Sequence, residues 1–322
     1  MVTIFNCLEV KEIGMQMSVI ICTHNPRKDY LHRTLNGLKA QTLPTGLWEL
    51  LVVDNASNPP VANDCDLSWH PSSRVVIESD LGILPARVRG LREARTELIL
   101  FVDDDNVLAP DYLAQAVAIA HSHPFLGCWG GNIAPEFERK PPRWIGRYLP
   151  ILACSGIEED RWSNSHFTIP PTAGMALRRQ VAEAFIRLVE NDSRRQLIGR
   201  RGKSGLMNGE DTDLALTACD LGLGMGQFKN LHLTHLVPEE KLSEEYLLRL
   251  TEGSYYCGYL LDAFRGRKVG RATAGGVRSF LGKIKRLVFW PAHERRFFEA
   301  KMRARLRAVK TLAGLEQEST RN

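Results

Sequence analysis

Apolar and polar residues alternate in blocks along the first third of the chain. Residues 18–22 (SVIIC) form a short β-branched run that breaks at the polar turn Thr23-His24-Asn25-Pro26. Leu31, Leu35 and Leu38 then recur at helical spacing, which predicts an amphipathic helix running to about Gln41. A second run, 49–53 (ELLVV), stops at Asp54-Asn55 and the pair Pro59-Pro60. A third, 74–77 (RVVI), leads into a helical Leu84, Val88, Leu91 pattern. A fourth, 98–102 (LILFV), ends on three aspartates, and Pro110 suits the first turn of a further helix. Continuous apolar strands separated by helices predict an α/β fold with a mixed, mostly parallel sheet flanked by helices. In such sheets ligands collect beyond the C-terminal strand ends. Those ends carry Thr23, Asn25, Asp54 and the trio Asp103, Asp104 and Asp105.

The second half is less regular. Between 125 and 171 Pro, Gly and Trp are frequent, which suits an irregular substrate-binding region. Leu214, Ala218 and Leu221 return to helical spacing and close at Gly222. Beyond Ser243 the chain reads helical, with a Gly-rich break over 266–276.

Hydrophobic residues at 44% and charged residues at 25% exclude a disordered or fibrous chain and suit a soluble globular enzyme. The seven cysteines are scattered and never form a CxxC pair, so neither a disulfide framework nor a structural zinc site is expected, and a cytoplasmic location is the simpler reading. No apolar run approaches the roughly 18 residues of a membrane span. The leading segment has acids and no long apolar core, so it is not expected to be a secretory signal. The net charge of +5 is unevenly spread: fifteen Lys and Arg fall within 265–310 against two acids, Glu294 and Glu299.

The aspartate trio is the first candidate for chemistry. Three adjacent carboxylates repel one another, and alternation in an extended segment would aim Asp103 and Asp105 the same way. Such a pair calls for a hard cation, Mg²⁺ or Mn²⁺, shared with substrate phosphates. A solvated acidic loop capping the next helix is the plainer alternative. Glu210-Asp211 is a second acidic cluster, before the Leu214 helix. It reads either as a general base or as an acidic cap with Asp213.

The ordered set SVIICTHNPRKDYLHRTLNGLKAQ, ELLVVDNAS, DLGILPARVRGLREA, ELILFVDDDN and, much later, NGEDTDLALTACDLGLGM resembles glycosyltransferase family 2 over about 17–240. The resemblance implies a GT-A (Rossmann-like) fold, an inverting mechanism and a divalent metal, Mn²⁺ or Mg²⁺. It implies an N-terminal extension over 1–16 and a catalytic domain over 17–240, with a nucleotide-binding half (17–125) and an acceptor half (126–240). A helical basic C-terminal region would cover 241–322. Position by position, Asp54 matches the residue contacting the donor's base, although Asp54-Asn55 also reads as an Asx turn. Thr23 and Asn25 match the nucleoside loop, or a plain turn before Pro26, with Arg27 beside them. Arg87 matches the arginine aimed at the diphosphate or base. Asp103 matches the first aspartate of the DxD motif, Asp104 a helper, and Asp105 the metal ligand. Asp211 matches the catalytic base, with Glu210 as its second or an acceptor-binding residue. His235 matches a histidine completing the metal shell, and His232 blurs that assignment. Thr172-Ala173-Gly174-Met175 resembles the turn lining the donor sugar. Trp129 before two glycines reads more readily as core than as a sugar platform.

In the basic region, Phe280, Ile284, Leu287 and Val288 share one helical face flanked by Arg278, Lys283, Lys285 and Arg286. That pattern suits a helix on an anionic membrane surface, or one packed on the domain with its cations outward. Without a recognised binding module, nucleic acid is not expected. The sequence therefore predicts a nucleotide-diphosphate sugar donor, a UDP-sugar foremost. The acceptor would be a glycan, lipid-linked or small-molecule hydroxyl in surface polysaccharide or glycolipid synthesis, the enzyme peripheral on the inner face of the cell membrane. A binding protein on a degenerate transferase scaffold and a nucleotidyltransferase are the rivals.

Overall fold

The computed structural model describes residues 14–165, 168–200, 206–267 and 290–319. The sheet is built around β1 (Met17–Thr23), β2 (Trp48–Asn55), β3 (Ser73–Glu78) and β4 (Leu98–Asp103), all parallel, in the order β3-β2-β1-β4. All eight residues of β2 are buried, as a strand covered on both faces requires. Alternate residues serve alternate layers. Val19, Ile21, Leu50, Val52, Leu100 and Val102 pack with Leu31, Leu35 and Leu38 of α1 (Lys28–Lys39) and Leu113 of α3 (Tyr112–Ser122). Ile20, Leu51, Val53, Ile99 and Phe101 pack with α2 (Ile83–Glu93), α4 (Arg179–Asn191) and α5 (Glu210–Asp220) on the other side.

Beyond β4 the sheet becomes mixed. β8 (Ala176–Arg178) runs antiparallel to both β4 and β6 (Leu126–Phe137). β9 (Gly224–Val237) lies parallel to β6 along a long ladder, and β7 (Arg161–Ser163) pairs with it antiparallel. The stretch from 125 onward thus opens on a twelve-residue strand rather than on irregular chain. Its paired neighbours, β8 and β9, supply the ladder bonds that its Gly and Pro content obscures. β5 (Asn106–Leu108) follows β4 directly in sequence yet pairs with β9, setting Asn106 opposite His235. That crossing carries Asp105 to His235.

α6 (Glu244–Phe264) starts at Ser243, whose hydroxyl accepts the Tyr246 N–H. α7 (Ala292–Ser319) lies along it through the small buried residues Ala300, Ala304 and Ala308, with Arg303 on Glu252 and Arg296 on Glu244. Leu260 and Ala304 share a core with β1 and α2, so the helices past 240 are built into the same packed unit. Residues 292–310 of the basic region therefore pack on the catalytic domain. The predicted apolar stripe over 280–288 lies outside the described residues, as do 1–13 of the predicted extension. Among the described residues no helix is long and apolar enough to cross a membrane.

Candidate active site

β1 connects through α1 to β2 on one side, while α2 carries the chain from β3 to β4 on the other. The strand order therefore reverses between β1 and β4, where Cys22 and Asp103 stand side by side. A cleft of about 410 Å³ opens there, lined among others by Thr23, Asn25, Arg87, Asp103, Asp105 and Asp211.

The aspartate trio does not continue the strand. β4 stops at Asp103, and Asp104 with Asp105 forms the turn into β5. Alternation therefore does not set their directions; each carboxylate takes a different partner. Asp103 lies 3.9 Å from the Arg87 guanidinium. Asp104 accepts the Thr23 hydroxyl. Asp105 Oδ2 meets Lys241 Nζ at 2.8 Å and His235 Nε2 at 3.4 Å, while Asn106 Nδ2 donates to its Oδ1. Burial and the neighbouring Asp105 charge push Asp104 up to about 7. Burial pushes Asp105 the same way, but Lys241 and His235 outweigh it and hold its carboxyl well below the usual range. Against its own burial, His235 is raised to about 9 by Asp105.

Asp105 and His235 are spaced as neighbouring ligands of one octahedral Mn²⁺ or Mg²⁺ would be, roughly 3 Å apart for bonds of about 2.1 Å. Among the described residues no group of three or more His, Cys, Asp or Glu side chains is placed to hold a metal ion by itself. The pair fits such an ion only if substrate phosphate and water complete the shell, which is how Mg²⁺ is commonly held. Lys241 was not singled out by sequence: it lies in an ordinary polar stretch, PEEKLSEE, and only its place just past the end of β9, six residues after His235, hints at it.

Arg87 on α2 is buried beneath the cleft. Its Nη1 donates to Glu210 Oε1 at 2.7 Å and its Nη2 to Thr172 Oγ1 at 2.6 Å. Glu210 is equally buried, and its Oε2 accepts the Gly209 N–H. Asp211, one residue on at the first turn of α5, is half-buried and lines the cleft. Its Oδ1 accepts the Thr212 N–H, and its Oδ2 has no hydrogen-bond partner among the described residues. The adjacent acids thus differ: Glu210 neutralises Arg87, while one Asp211 oxygen is unpaired among the described residues. The Thr172-Ala173-Gly174 turn closes the wall. Gly174 has φ +77°, and a Cβ there would collide with the Tyr112 hydroxyl, which donates to its carbonyl. Trp129 is fully buried in the core.

The nucleoside-side candidates separate into two groups. Asn25, at φ 47°, donates its N–H to Ser57 Oγ and accepts the Asn58 N–H, tying two loops together. His24 bonds the Asn55 carbonyl, and Asn55 in turn accepts the Gly82 N–H, so these residues form a braced wall. Asp54 is buried behind it and is not a cleft-lining residue. Its two oxygens accept the N–H groups of Ser57 and Val61, the Asx-type bonding foreseen for Asp54-Asn55. Arg27 is turned onto Asp29 and Glu138 and likewise does not line the cleft.

Comparisons with known proteins bear on the family and the fold. The family described as Glycosyl transferase family 2 matches residues 18–185, just over half of the chain. Poly(ribitol-phosphate) beta-N-acetylglucosaminyltransferase TarS of Staphylococcus aureus is 31% identical over 113 residues, 34% of this chain and 19% of that protein. Glucosyl-dolichyl phosphate glucuronosyltransferase of Haloferax volcanii is 23% identical over 145 residues, 44% of this chain and 45% of that protein. The matched stretches span less than half the length of these curated relatives. The crystal structure of S. aureus TarS 1–349 in complex with UDP-GlcNAc superposes with a TM-score of 0.54 at 17% identity, covering 89% of this chain and 79% of that one. The shared fold is GT-A.

Proposed function

This chain belongs to glycosyl transferase family 2, and on that premise we propose that it moves a sugar from a nucleotide-diphosphate donor, a UDP-sugar foremost, onto an acceptor hydroxyl with inversion at the anomeric carbon. The observation that carries the reading is Asp211, a carboxylate with an oxygen unengaged among the described residues, in the same cleft as the acidic turn and Arg87. The acceptor oxygen attacks C1 from the face opposite the diphosphate. The C1–oxygen bond to the acceptor forms as the bond to phosphate breaks, and Asp211 takes the hydroxyl proton. Arg87, fixed by Glu210 and Thr172, contributes positive charge toward the departing diphosphate. Asp105 and His235 hold Mn²⁺ or Mg²⁺ in this reading, and the ion when bound offsets charge on the leaving group. Thr23, Asn25 and Asn55 wall the nucleoside side, and Asp54 acts by folding the 55–61 loop.

A UDP-sugar is favoured because the similar solved structure of TarS holds UDP-GlcNAc. The acceptor in this reading is a glycan or lipid-linked hydroxyl presented at an anionic membrane surface on the cytoplasmic side. Support comes from α7, which turns Met302 and Leu306 outward, 37% and 50% exposed, among Arg303, Arg307 and Lys310. Co-sedimentation with anionic but not zwitterionic vesicles, weakened by Leu306→Ser, tests that surface.

The donor reading is tested by thermal stabilisation with a panel of nucleotides and nucleotide sugars, in Mn²⁺ and in EDTA. A ligand at 100 times its Kd adds about 2.7 kcal/mol to the folded state. Stabilisation by uridine nucleotides in Mn²⁺, lost in EDTA and in Asp105→Ala, is the expected result. A folded protein that no nucleotide stabilises would favour the degenerate-scaffold rival, and slow release of UDP from a UDP-sugar would count against a nucleotidyltransferase.

A further inference from the structure

The cleft carries a cation of its own. Lys241 sits in the turn that follows β9, its backbone N–H on the Pro238 carbonyl and the next residue, Leu242, buried in the cluster with Leu247 and Phe297. Its ammonium is 2.8 Å from Asp105 Oδ2, the same oxygen that His235 Nε2 approaches at 3.4 Å. The side chains of Lys241, Asp105 and His235 are only 24%, 16% and 10% exposed, so solvent screens this contact weakly. A divalent ion bound between Asp105 and His235 would therefore share one carboxylate oxygen with an ammonium. Two cations so close repel strongly in a half-buried site. One must leave, and the lysine stem is long and flexible enough to move.

Resting on the donor and metal reading above, we propose that Lys241 is a tethered cation that occupies Asp105 in the donor-free protein and yields it to the divalent ion only when a nucleotide diphosphate arrives to receive the ammonium. The diphosphate supplies the negative charge that the ion takes from Lys241, so each ligand strengthens the other. Linkage makes this reciprocal: the factor by which donor tightens metal equals the factor by which metal tightens donor. Lys241 thereby keeps the acidic turn neutralised between turnovers and reserves metal binding for the loaded site. It is a positioning residue in this scheme, acting through Asp105 and the diphosphate.

Mn²⁺ uptake, read by loss of the free-ion electron paramagnetic resonance signal, tests the proposal without any turnover. Wild type, Lys241→Met and Lys241→Arg are titrated with and without UDP, folding being checked by thermal unfolding. Wild type is expected to bind Mn²⁺ weakly alone and about tenfold or more tighter with UDP, within the usual range of coupling. Lys241→Met is expected to bind Mn²⁺ alone several-fold tighter than wild type and to gain correspondingly less from UDP, the part owed to phosphate ligation of the ion remaining, and Lys241→Arg to behave as wild type. A folded Lys241→Met that binds Mn²⁺ alone no tighter than wild type overturns the role of Lys241 while leaving the donor reading intact. Wild type that binds UDP with no Mn²⁺ uptake in any condition overturns metal dependence and this proposal together.

Discussion

Replacing Glu210 by alanine removes the carboxylate facing Arg87, and the two are almost wholly buried, at 4% and 6% exposure. What remains near the guanidinium is the Thr172 hydroxyl at 2.6 Å, Asp103 at 3.9 Å, itself 40% exposed at the side chain, and the half-buried Asp211. Thr172 offers a dipole rather than a charge, and solvent screens Asp103 and Asp211, so none of them replaces the lost ion. Breaking one partner of a buried pair costs about 3–5 kcal/mol, a large share of a total stability of about 5–15 kcal/mol. The partial help from Asp103 puts the expected loss near the lower end, about 3 kcal/mol by urea unfolding. The reverse change should cost less. Arg87→Met strands Glu210, but burial already pushes the Glu210 carboxyl up, and without Arg87 it can take up a proton and become neutral. Arginine has no such escape. A double variant, Arg87→Met with Glu210→Leu, should recover most of the stability, because an apolar pair of similar volume commonly replaces a buried ion pair at little cost. The reasoning fails if Glu210→Ala costs under about 1 kcal/mol, or if Arg87→Met proves the more damaging single change.

Asp211→Asn should leave the unfolding transition nearly unmoved, since among the described residues the Asp211 side chain bonds only the adjacent Thr212 N–H, while kcat falls about 10²–10⁴-fold. Equal effects of Asp211→Asn and Glu210→Ala on folding would contradict the division of labour between the two acids. Glu49 is buried beneath the sheet; burial would raise its pKa, but Ser18, Arg74 and the Arg95 N–H together hold it below the ordinary glutamate value. Its contribution is thus complete above the unfolded-state pKa and lost as pH falls through the depressed folded value. The stability gap between wild type and Glu49→Gln should therefore be wide near about pH 7 and narrow on acidification to about pH 3; a gap independent of pH counts against the pairing. A Cβ at Gly253 in α6 would run into the Leu206 carbonyl, and the adjoining Met207 and Asn208 line the cleft. Gly253→Ala should cost about 1–3 kcal/mol or raise KM by moving that loop, and an unchanged melting temperature together with unchanged kinetics rules this out.

The parallel half of the fold was legible because its signal is local. The 18–22, 49–53, 74–77 and 98–102 runs each became a strand of the expected sheet, extended by one to three residues. β6 was not legible, because its Gly and Pro residues read as loop and its bonding comes from β9, about ninety residues away. The same distance hid α7's place: its cations predict a surface, while its buried face, Ala300, Ala304 and Ala308, has too little apolar character to announce a docking helix.

Within the site, residue types that imply a ligand were legible and their pairings were not. Sequence put Asp103, Asp104 and Asp105 at a strand end, but which partners Asp105 would meet depends on β5 leaving its neighbour to join β9. That crossing brings His235 beside Asp105 and sets Lys241 on the same oxygen. Three adjacent carboxylates are tolerated because Arg87, Thr23 and Lys241 come from α2, β1 and the turn after β9, and each takes a different one. An acidic turn read in isolation looks like an appetite for metal. Inside the fold much of that appetite is already met by the protein's own cations, so a divalent ion binding at Asp105 would have to compete with Lys241. In the scheme proposed above the net charge of the donor would decide that competition, which is why nucleotide binding and metal binding in this cleft are best measured together.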